Sequence, residues 1–510
     1  MIHELGCCLL GLVVLAYAAE VLLGLTDNAQ EPPRLRSNIP LIGHIIGIIR
    51  HGPSYHSQLR VASNSEIFTL GILNFKLYTS VSTRLLPAIQ RQSKTLSFRP
   101  MIQHVARRWG DASDETNEAF GGSLVEDFSH AMRISLSPGP ALDEQNKRMA
   151  ERALLDVDSL VSSSDSNTDR SKIMLLGWAR HVVTQASSCG VYGNEHPFLD
   201  LRVEQAFWTW HGHLSAHISG LDFDIFGRGY AARQKVFDAH AKYCSDIPSD
   251  ASLLFIERWR VLLEAGISET DCIKQQATLP IGMLSNTVPT FYWTIWELYS
   301  RADLLAEVRE ELKAHAIIEQ EGGFALDIAA LKTKCALLLS VFQETQRIRH
   351  IHAAIRKVMS DTLLDGKYLL KKGNCLQMPG GSIHSNTELW GPSATEFDPY
   401  RFVNQSAHAS GFKQRGRDFL AWGAPPHLCP ARQFAATEIL ILVALLVMRV
   451  DLRPVRGTWE KNPALDFNDP VTVLNPKTGV QVHVSDREEW AGRWKLHMSP
   501  STCRVPLASG

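Results

Sequence analysis

Apolar side chains recur at three- and four-residue spacing along much of the chain, which is the repeat of helices that bury one face. This pattern predicts helices at Ala141–Ser162, Leu253–Ala265, Leu304–His315 and Leu331–His350. Strand-like stretches are short and few, at Glu66–Leu73, Lys76–Ser80, Tyr368–Leu370 and Gly479–Val484. Between the helices, the Ser- and Asp-rich stretch Ser162–Asp169 predicts a loop. We therefore expect one large, mainly α domain with a minor β-sheet part.

The N-terminal segment differs from the rest, because Leu5–Leu25 is apolar except for Glu20. A helix needs about 20 apolar residues to cross a bilayer, and a charge near one end can reach the interface. We expect a transmembrane anchor at residues 1–26, with following arginines such as Arg34 placing the bulk of the chain in the cytosol. The alternative is a cleaved signal peptide, since Ala16–Ala18 has the small-x-small pattern of a cleavage site.

Three prolines, Pro32, Pro33 and Pro40, follow this segment. Proline fixes φ and stiffens an extended chain. We interpret residues 27–44 as a proline-rich hinge that holds a catalytic domain, residues 45–510, at a set angle to the membrane.

The charges of the chain nearly cancel, since 52 Lys and Arg residues against 53 Asp and Glu residues give a net charge of −1. This balance lacks the basic excess that non-specific nucleic-acid binding needs, so no nucleic-acid partner is expected. The nine cysteines form no C-x-x-C pair, which argues against a structural zinc site and fits a reducing compartment.

Two segments concentrate aromatic side chains, Phe207–Trp210 and Leu221–Phe226. Such side chains suit either the core or an amphipathic surface in the headgroup region of a membrane, and the sequence leaves both interpretations open. His213 and His217 have the four-residue spacing of some zinc ligands, but no glutamate follows His213 as in H-E-x-x-H. We therefore predict no metal site among these histidines.

Cys429 stands where a loop, Phe419–Arg432, runs into the strongly apolar helix Phe434–Arg449. A thiol at the start of a helix lies near exposed N–H groups, which are expected to lower its pKa. The resulting thiolate could bind iron and push electron density onto it. An ordinary buried cysteine is the alternative at this point.

Two further segments bear on this choice. Glu344 and Arg347 are three residues apart on an apolar helix, so they share a face and can pair, and Glu396–Phe402 brings another arginine, Arg401. The ordered set E-x-x-R, F-D-P-x-R-F and W-G…C-P-x-R resembles the cytochrome P-450 family, and the resemblance covers essentially the whole chain.

The resemblance implies a cytochrome P-450 fold and a heme cofactor, with Cys429 as the proximal ligand of the iron. Trp422 of the same motif is expected at the heme. Glu344, Arg347 and Arg401 are expected to form the buried charge network of the family, because a buried charge is tolerated when it is paired. Arg356 and His427 are expected at the heme propionates, which arginine can bind in a bidentate manner.

The chain departs from the family pattern around the cysteine. Pro425, His427 and Ala431 stand where the family usually has glycine, arginine and glycine. Proline removes an N–H and fixes φ, so the loop must differ locally. His427 can still donate to a propionate, although more weakly than arginine.

An apolar segment, Ile281–Trp293, resembles the distal helix of the family, where an acid–threonine pair usually relays protons. Ser285 and Asn286 stand at those positions, followed by Thr287, and the pattern is similar to the sterol 7-alpha-hydroxylase and prostacyclin synthase branch. Pro289 cannot donate to the Ser285 carbonyl, so that carbonyl and Asn286 are expected to hold a water near dioxygen. A packing kink without catalytic meaning is the alternative.

The resemblance implies a heme-thiolate monooxygenase of the endoplasmic reticulum membrane, with its catalytic domain on the cytosolic side. Electrons would come from an NADPH-dependent flavin reductase. The expected substrate is a lipophilic secondary-metabolite intermediate, terpenoid or steroid-like. The alternatives are an oxygen-independent isomerase or dehydratase, and a heme binder without catalytic activity.

Overall fold

The computed structural model describes residues 2–52, 54–162, 172–219, 224–351, 353–403, 416–424, 427–466 and 471–509, with side chains from residue 10 onward. The predicted loop at 162–169 and the positions of Pro425 and Pro426 lie largely or wholly outside these residues.

Helices account for most of the described chain, as the apolar periodicity predicts. In chain order they are α1 (Ile2–Leu25), α2 (Gly43–His51), α3 (Ser54–Ser63), α4 (Leu86–Arg91), α5 (Arg99–Arg108), α6 (Asp114–Gly121), α7 (Leu124–Ser135), α8 (Pro140–Ser162), α9 (Leu175–Tyr192), α10 (Leu201–His211), α11 (Leu214–Ser219), α12 (Arg228–Cys244), α13 (Leu253–Glu264), α14 (Glu269–Gln276), α15 (Leu279–Leu284), α16 (Thr287–Tyr299), α17 (Ala302–His315), α18 (Ile328–Thr333), α19 (Ala336–Arg349), α20 (Gly380–His384), α21 (Thr387–Trp390) and α22 (Arg432–Arg449).

Short strands form four small sheets among the described residues. The strands are β1 (Arg34–Leu35), β2 (Ile67–Ile72), β3 (Phe75–Ser80), β4 (Leu96–Ser97), β5 (Lys172–Met174), β6 (Ile317–Gln320), β7 (Gly323–Asp327), β8 (Ala353–Val358), β9 (Thr362–Leu364), β10 (Tyr368–Leu370), β11 (Cys375–Pro379), β12 (Val450–Pro454), β13 (Gln481–Asp486) and β14 (Arg493–His497). Their orders are β1-β2-β3-β11-β8-β4, β10-β9, β12-β13-β5 and β14-β7-β6. The prediction of a mainly α protein with a minor β part is confirmed.

The core lies around α22, whose residues from Phe434 to Arg449 are all buried. Helices α8, α9 and α16 pack against it, and their apolar side chains belong to the same buried cluster. A helix that is apolar on every face can be satisfied only at the centre of a large domain, which explains why the pattern lacks an amphipathic stripe there.

The predicted helix Leu331–His350 is wrong in one respect, because it is interrupted between α18 and α19. Cys335 has non-helical φ and ψ values of −90° and 71°. The Glu311 carboxylate of α17 accepts hydrogen bonds from the Leu337 and Leu338 amides at 2.7 and 2.9 Å. This carboxylate satisfies the free N–H groups of a new helix start, so the break costs little.

The segment between α1 and the body is fixed to the main sheet. Leu35 and its neighbour in β1 pair in parallel with β2. The buried Glu31 carboxylate accepts from Lys76 Nζ at 2.7 Å and from Tyr78 Oη at 2.7 Å. Residues of the predicted hinge therefore form one edge of the six-stranded sheet.

The N-terminal helix α1 forms over Ile2–Leu25, and its described leucines, such as Leu15 and Leu22, are largely exposed. Across the part of the chain that the structure describes, no helix is both long and apolar enough to cross a membrane. The predicted transmembrane helix is therefore not confirmed.

Candidate functional site

A cavity of about 390 Å³ lies between the junction of α15 and α16 on one side and the start of α22 on the other. Its wall is mostly apolar. Cys429 is the one cysteine among its described lining residues, and Asn286, Thr287 and Val473 line the opposite part. The sequence predicts that Cys429, Asn286 and Thr287 lie close together. All three line this cavity, although Cys429 is about 140 residues from the other two in the chain.

The loop that carries Cys429 is held by its own backbone. The Cys429 amide donates to the Trp422 carbonyl at 2.8 Å, and the His427 amide donates to the Ala424 carbonyl at 3.1 Å. Gly423 has a φ of +93°, and a Cβ there would lie 2.8 Å from the His427 carbonyl oxygen. Only glycine fits this turn, which begins the loop that leads to Cys429.

The expectation that the helix start lowers the pKa of Cys429 is wrong for a thiol that binds no metal ion. Burial raises the pKa of this thiol, and the Ala431 amide and the Arg432 charge oppose the rise without cancelling it. Desolvation of an anion outweighs one N–H group and a neighbouring guanidinium. A strong cation bound at the sulfur would reverse this balance.

Arg356 is buried beside the same cavity wall. Its guanidinium donates to the Ile355 and Ala424 carbonyls at 2.8 and 3.4 Å and lies 5.5 Å from the centre of the Phe98 ring. No carboxylate in the described part of the chain acts on its charge, and burial lowers its pKa to about 10. A buried cation without a counter-ion is suited to bind an anionic group.

His427 and Trp422 complete this wall. Burial and the nearby charges of Arg356 and Arg133 lower the pKa of His427 to about 4, so its imidazole is neutral near pH 7. The indole Nε1 of Trp422 is buried and has no acceptor among the described residues. Both side chains can donate a hydrogen bond to a group in the cavity, but neither brings the charge that arginine would.

The predicted charge network is present and buried. Arg347 donates to both carboxylate oxygens of Glu344 at 2.7 Å, and Arg401 Nε lies 3.1 Å from each of them. The Asp398 amide also donates to Glu344, at 3.0 Å. The side chains of Glu344 and Arg347 are completely inaccessible to solvent. Two cations and an amide thus compensate one desolvated carboxylate.

His384 connects this network to the cysteine loop and was not anticipated from the sequence. Arg347 Nη1 donates to the His384 carbonyl at 2.6 Å, and the Leu420 amide donates to His384 Nε2 at 2.9 Å. Burial and the Arg347 charge lower the pKa of His384 to about 3, so the ring is neutral. Its Nδ1–H then donates to the Arg347 carbonyl at 3.1 Å.

The distal segment is broken between α15 and α16, at Ser285 and Asn286. The break fits Pro289, which leaves the Ser285 carbonyl without a helical donor. However, the structure does not turn the predicted side chains toward one point. Ser285 Oγ lies 2.9 Å from His211 Nε2, and Thr287 Oγ1 donates to the Met283 carbonyl at 2.6 Å.

Asn286 also departs from its expected role. Its Oδ1 accepts from the Thr472 amide at 2.7 Å and from the Val473 amide at 3.3 Å. Both lone pairs of this oxygen are therefore used within the protein, and only the Nδ2 group is left to orient a water. The sequence could not predict a contact between residues 186 positions apart.

Glu438, which lines the cavity, is a second residue that sequence reasoning missed. It is buried in α22, the Ser187 hydroxyl lies 2.8 Å from both of its carboxyl oxygens, and burial raises its pKa to about 8. A single carboxyl within an otherwise apolar helix was the signal that could have revealed it. The acid is mostly protonated near neutral pH because burial disfavours its charged form and no described residue places a cation beside it.

The aromatic segments divide between the two interpretations. Phe207 and Trp210 are fully buried in the core, whereas Ile225 and Phe226 are 80% and 85% exposed; part of the second segment lies outside the described residues. His217 Nε2 lies 3.3 Å from Asp224. The described residues contain no cluster of three or more side chains suited to a metal ion.

The fold and site agree with comparisons to known proteins. The chain belongs to the cytochrome P450 family, whose model matches residues 207–484. A cytochrome P450 monooxygenase of Hypoxylon pulicicidum, nodJ, is 33% identical over 497 residues, which is 95% of each chain. Another cytochrome P450 monooxygenase, from Gibberella zeae, is 26% identical over 95% of this chain and 96% of its own.

More distant relatives extend this comparison. The porcine (Sus scrofa) 5-beta-cholestane-3-alpha,7-alpha-diol 12-alpha-hydroxylase is 29% identical over 231 residues, 43% of this chain and 44% of its own. The solved structure of a retinoic acid-bound cyanobacterial CYP120A1 matches with a TM-score of 0.67 at 16% identity, over 90% of this chain and 99% of that chain. That likeness shows the shared fold.

The chain is thus a cytochrome P450 monooxygenase, and heme is its cofactor. The cavity fits this group on its own evidence. It offers a sulfur ligand in Cys429 and, in Trp422, a donor without an acceptor among the described residues. The buried Arg356 guanidinium lies behind the lining residue Phe98 and can bring a positive charge to an anionic group there.

Arg347→Ala tests the burial of the charge network. The substitution leaves Glu344 buried with Arg401 as its one remaining cation, so we expect a loss of about 3–5 kcal/mol in the free energy of unfolding. Chemical denaturation and the heme content of the purified protein measure the effect. Arg202→Ala is the matched control, because its ion pair with Asp200 is on the surface and is expected to contribute little to stability. Equal stability of the two variants would contradict the account.

Glu438→Gln tests the buried acid. Because the pKa of Glu438 is raised to about 8 in the folded state from 4.5, the wild type binds one more proton when folded, and its stability falls as pH rises between these values. The slope contributed is at most about 1.4 kcal/mol per pH unit. Glutamine keeps the Ser187 contact and cannot ionise. We expect the stability difference between variant and wild type to grow from pH 5 to about 8 and then level off; a constant difference would show that Glu438 is ionised at low pH.

Proposed function

We propose that this monooxygenase hydroxylates a lipophilic secondary-metabolite intermediate, terpenoid or steroid-like, with Cys429 as the thiolate ligand of its heme. The observation that carries the proposal is the position of Cys429 on the wall of the cavity. Backbone hydrogen bonds link it to the buried charge network: the Cys429 amide donates to Trp422, and nearby Leu420 donates to His384, whose carbonyl accepts from Arg347. When bound, heme supplies the activation of dioxygen and the oxidation of a C–H bond.

The residues of the chain have separate tasks in this proposal. Arg356 binds a propionate as a buried cation, while His427 and Trp422 donate neutral hydrogen bonds. On the opposite side of the cavity, the Nδ2 group of Asn286 orients a water, since its Oδ1 already accepts from the Thr472 and Val473 amides.

A second cavity, of about 290 Å³, supports the proposal of a lipophilic substrate. It shares Gly282 and Asn286 with the first cavity, and Val105, Trp109 and Leu214 are among its lining residues. A Cβ added to Gly282 would meet no atom within 4 Å, so the space beside this shared lining residue is open. Apolar walls of this kind favour a substrate with few polar groups.

The names of relatives support the substrate class. A Phomopsis amygdali relative, 25% identical over 245 residues, is named fusicocca-1,10(14)-diene-8beta,16-diol C-9 hydroxylase. A human relative, 30% identical over 183 residues, is named 7-alpha-hydroxycholest-4-en-3-one 12-alpha-hydroxylase. Both names describe hydroxylation of a polycyclic skeleton, and we extend that reaction class to this chain.

The experiment compares metabolites of a host strain with and without the gene, and then repeats turnover of the accumulating compound in vitro. We expect a product heavier by one oxygen, formed only with NADPH and a flavin reductase, with ¹⁸O incorporated from ¹⁸O₂. A product of unchanged mass formed without NADPH would instead establish the oxygen-independent isomerase. Normal reduction of the heme without any product would establish the heme binder without catalytic activity.

We further propose that the enzyme acts at the endoplasmic reticulum membrane with its catalytic domain in the cytosol. The apolar composition of Leu5–Leu25 and the arginines after it support this location. The same membrane would carry the NADPH-dependent flavin reductase, whose electrons the reaction needs.

Removing residues 1–25 tests the anchor. We expect the shortened protein to keep its heme but to move from the membrane fraction toward the soluble fraction, because the apolar segment is lost. Fractionation by ultracentrifugation and the heme spectrum measure both effects. The same deletion with the exposed Ile225 and Phe226 changed to serine shows whether residual binding uses that surface. Secretion of the full chain in soluble form would show that the segment is a signal peptide.

A further inference from the structure

We infer that Asn286 is a positioning residue that fixes the Thr472–Val473 wall of the cavity through its Oδ1 atom, and that it thereby sets which ligands fit beside the heme. This inference rests on the proposed heme site, but it concerns the shape of the cavity and not the reaction. It assigns the positioning role to the Oδ1 atom, separately from the water that the Nδ2 group is proposed to orient.

The geometry of Asn286 differs from that of a residue that caps its own helix. Asn286 is the residue before α16, where asparagine usually accepts a hydrogen bond from an amide of the helix it precedes. Here it makes no such cap. The side chain instead reaches out of the helix break and accepts from the Thr472 and Val473 amides at 2.7 and 3.3 Å. The carboxamide oxygen is thus committed to a distant segment.

The Thr472–Val473 segment is held on its other side as well. The Ile351 amide donates to the Thr472 carbonyl at 2.9 Å, and Val473 forms an antiparallel bridge with His350. The indole of Trp293 in α16 donates to the Leu474 carbonyl at 2.8 Å. These contacts all involve the main chain of residues 472–474, so they fix the backbone and not a particular side chain.

The Asn286 side chain therefore joins the distal helix break to this wall by hydrogen bonds, at the point where both face the cavity. Thr472, Val473 and Asn286 all line the cavity. Without the Oδ1 acceptor, two amides lose their partner and the wall is held from the His350 side and by Trp293. A wall that can move accommodates a bulky ligand differently, while a small ligand at the iron does not reach it.

Two substitutions separate the oxygen from the nitrogen of Asn286. Asn286→Leu keeps the approximate size of the side chain and removes both polar atoms. Asn286→Asp keeps an acceptor for the two amides and removes the Nδ2 donor. Gln346→Leu is the matched control, because Gln346 is another carboxamide of the cavity wall and its Oε1 has no partner among the described residues.

The measurements use the purified heme-loaded protein and need no turnover. Hydrogen exchange followed by mass spectrometry reports the peptide that contains residues 471–474. Spectral titration of the ferric heme with imidazole and with 4-phenylimidazole gives the ratio of their dissociation constants, since both ligands bind iron through the same type of nitrogen. A change in the affinity of the iron for nitrogen ligands affects both dissociation constants equally and cancels in the ratio. The ratio therefore reports the space that is available to the phenyl group.

We expect Asn286→Leu to speed exchange in this peptide by about tenfold and to change the ratio of dissociation constants by about fivefold, as the loss of hydrogen bonds predicts. Asn286→Asp and Gln346→Leu should stay close to wild type in both measurements. The inference is overturned if Asn286→Leu leaves exchange and ratio unchanged, or if Asn286→Asp behaves like Asn286→Leu. Because an isomerase would give the same binding and exchange results as a monooxygenase, this inference and the proposed function fail separately.

Discussion

The burial of the Glu344 carboxylate is the constraint on which the rest of the site depends. A desolvated carboxylate is costly, and here two guanidiniums and one amide compensate it. Arg347 donates its remaining N–H groups to the His384, Ala394 and Glu396 carbonyls, and His384 accepts from the Leu420 amide of the cysteine loop. The network thus fixes the backbone that carries Cys429, which lies far from Glu344 in sequence.

The two sides of the cavity are built differently, and this difference fits the proposed chemistry. On the cysteine side, backbone hydrogen bonds tie Cys429 to Trp422 and His427 to Ala424, next to the positive φ of Gly423. The opposite side is a broken helix whose polar groups face other elements: Ser285 faces His211, and Asn286 faces the Thr472–Val473 wall. In the proposed function, the cysteine side would hold the cofactor and the distal side would contribute the surface that meets the substrate.

Local pattern predicted those parts of the structure that depend on local spacing. The helices near Ala141–Ser162 and Leu253–Ala265 and the contact between Glu344 and Arg347 follow from side-chain periodicity. The interruption before α19 and the engagement of Asn286 Oδ1 depend on hydrogen bonds to residues distant in sequence, which no spacing rule contains. The pKa of Cys429 was predicted in the wrong direction, because burial depends on the whole domain and not on the adjacent helix start.

The most direct test of the central claim is the difference spectrum of the reduced, CO-bound protein for wild type, Cys429→Ser and Cys503→Ser. Cys503 is a partly exposed cysteine outside the cavity and serves as the matched control. The account predicts the thiolate-type Soret band for wild type and Cys503→Ser and its complete loss in Cys429→Ser. An unchanged thiolate band in Cys429→Ser would show that another residue binds the iron and would contradict the account.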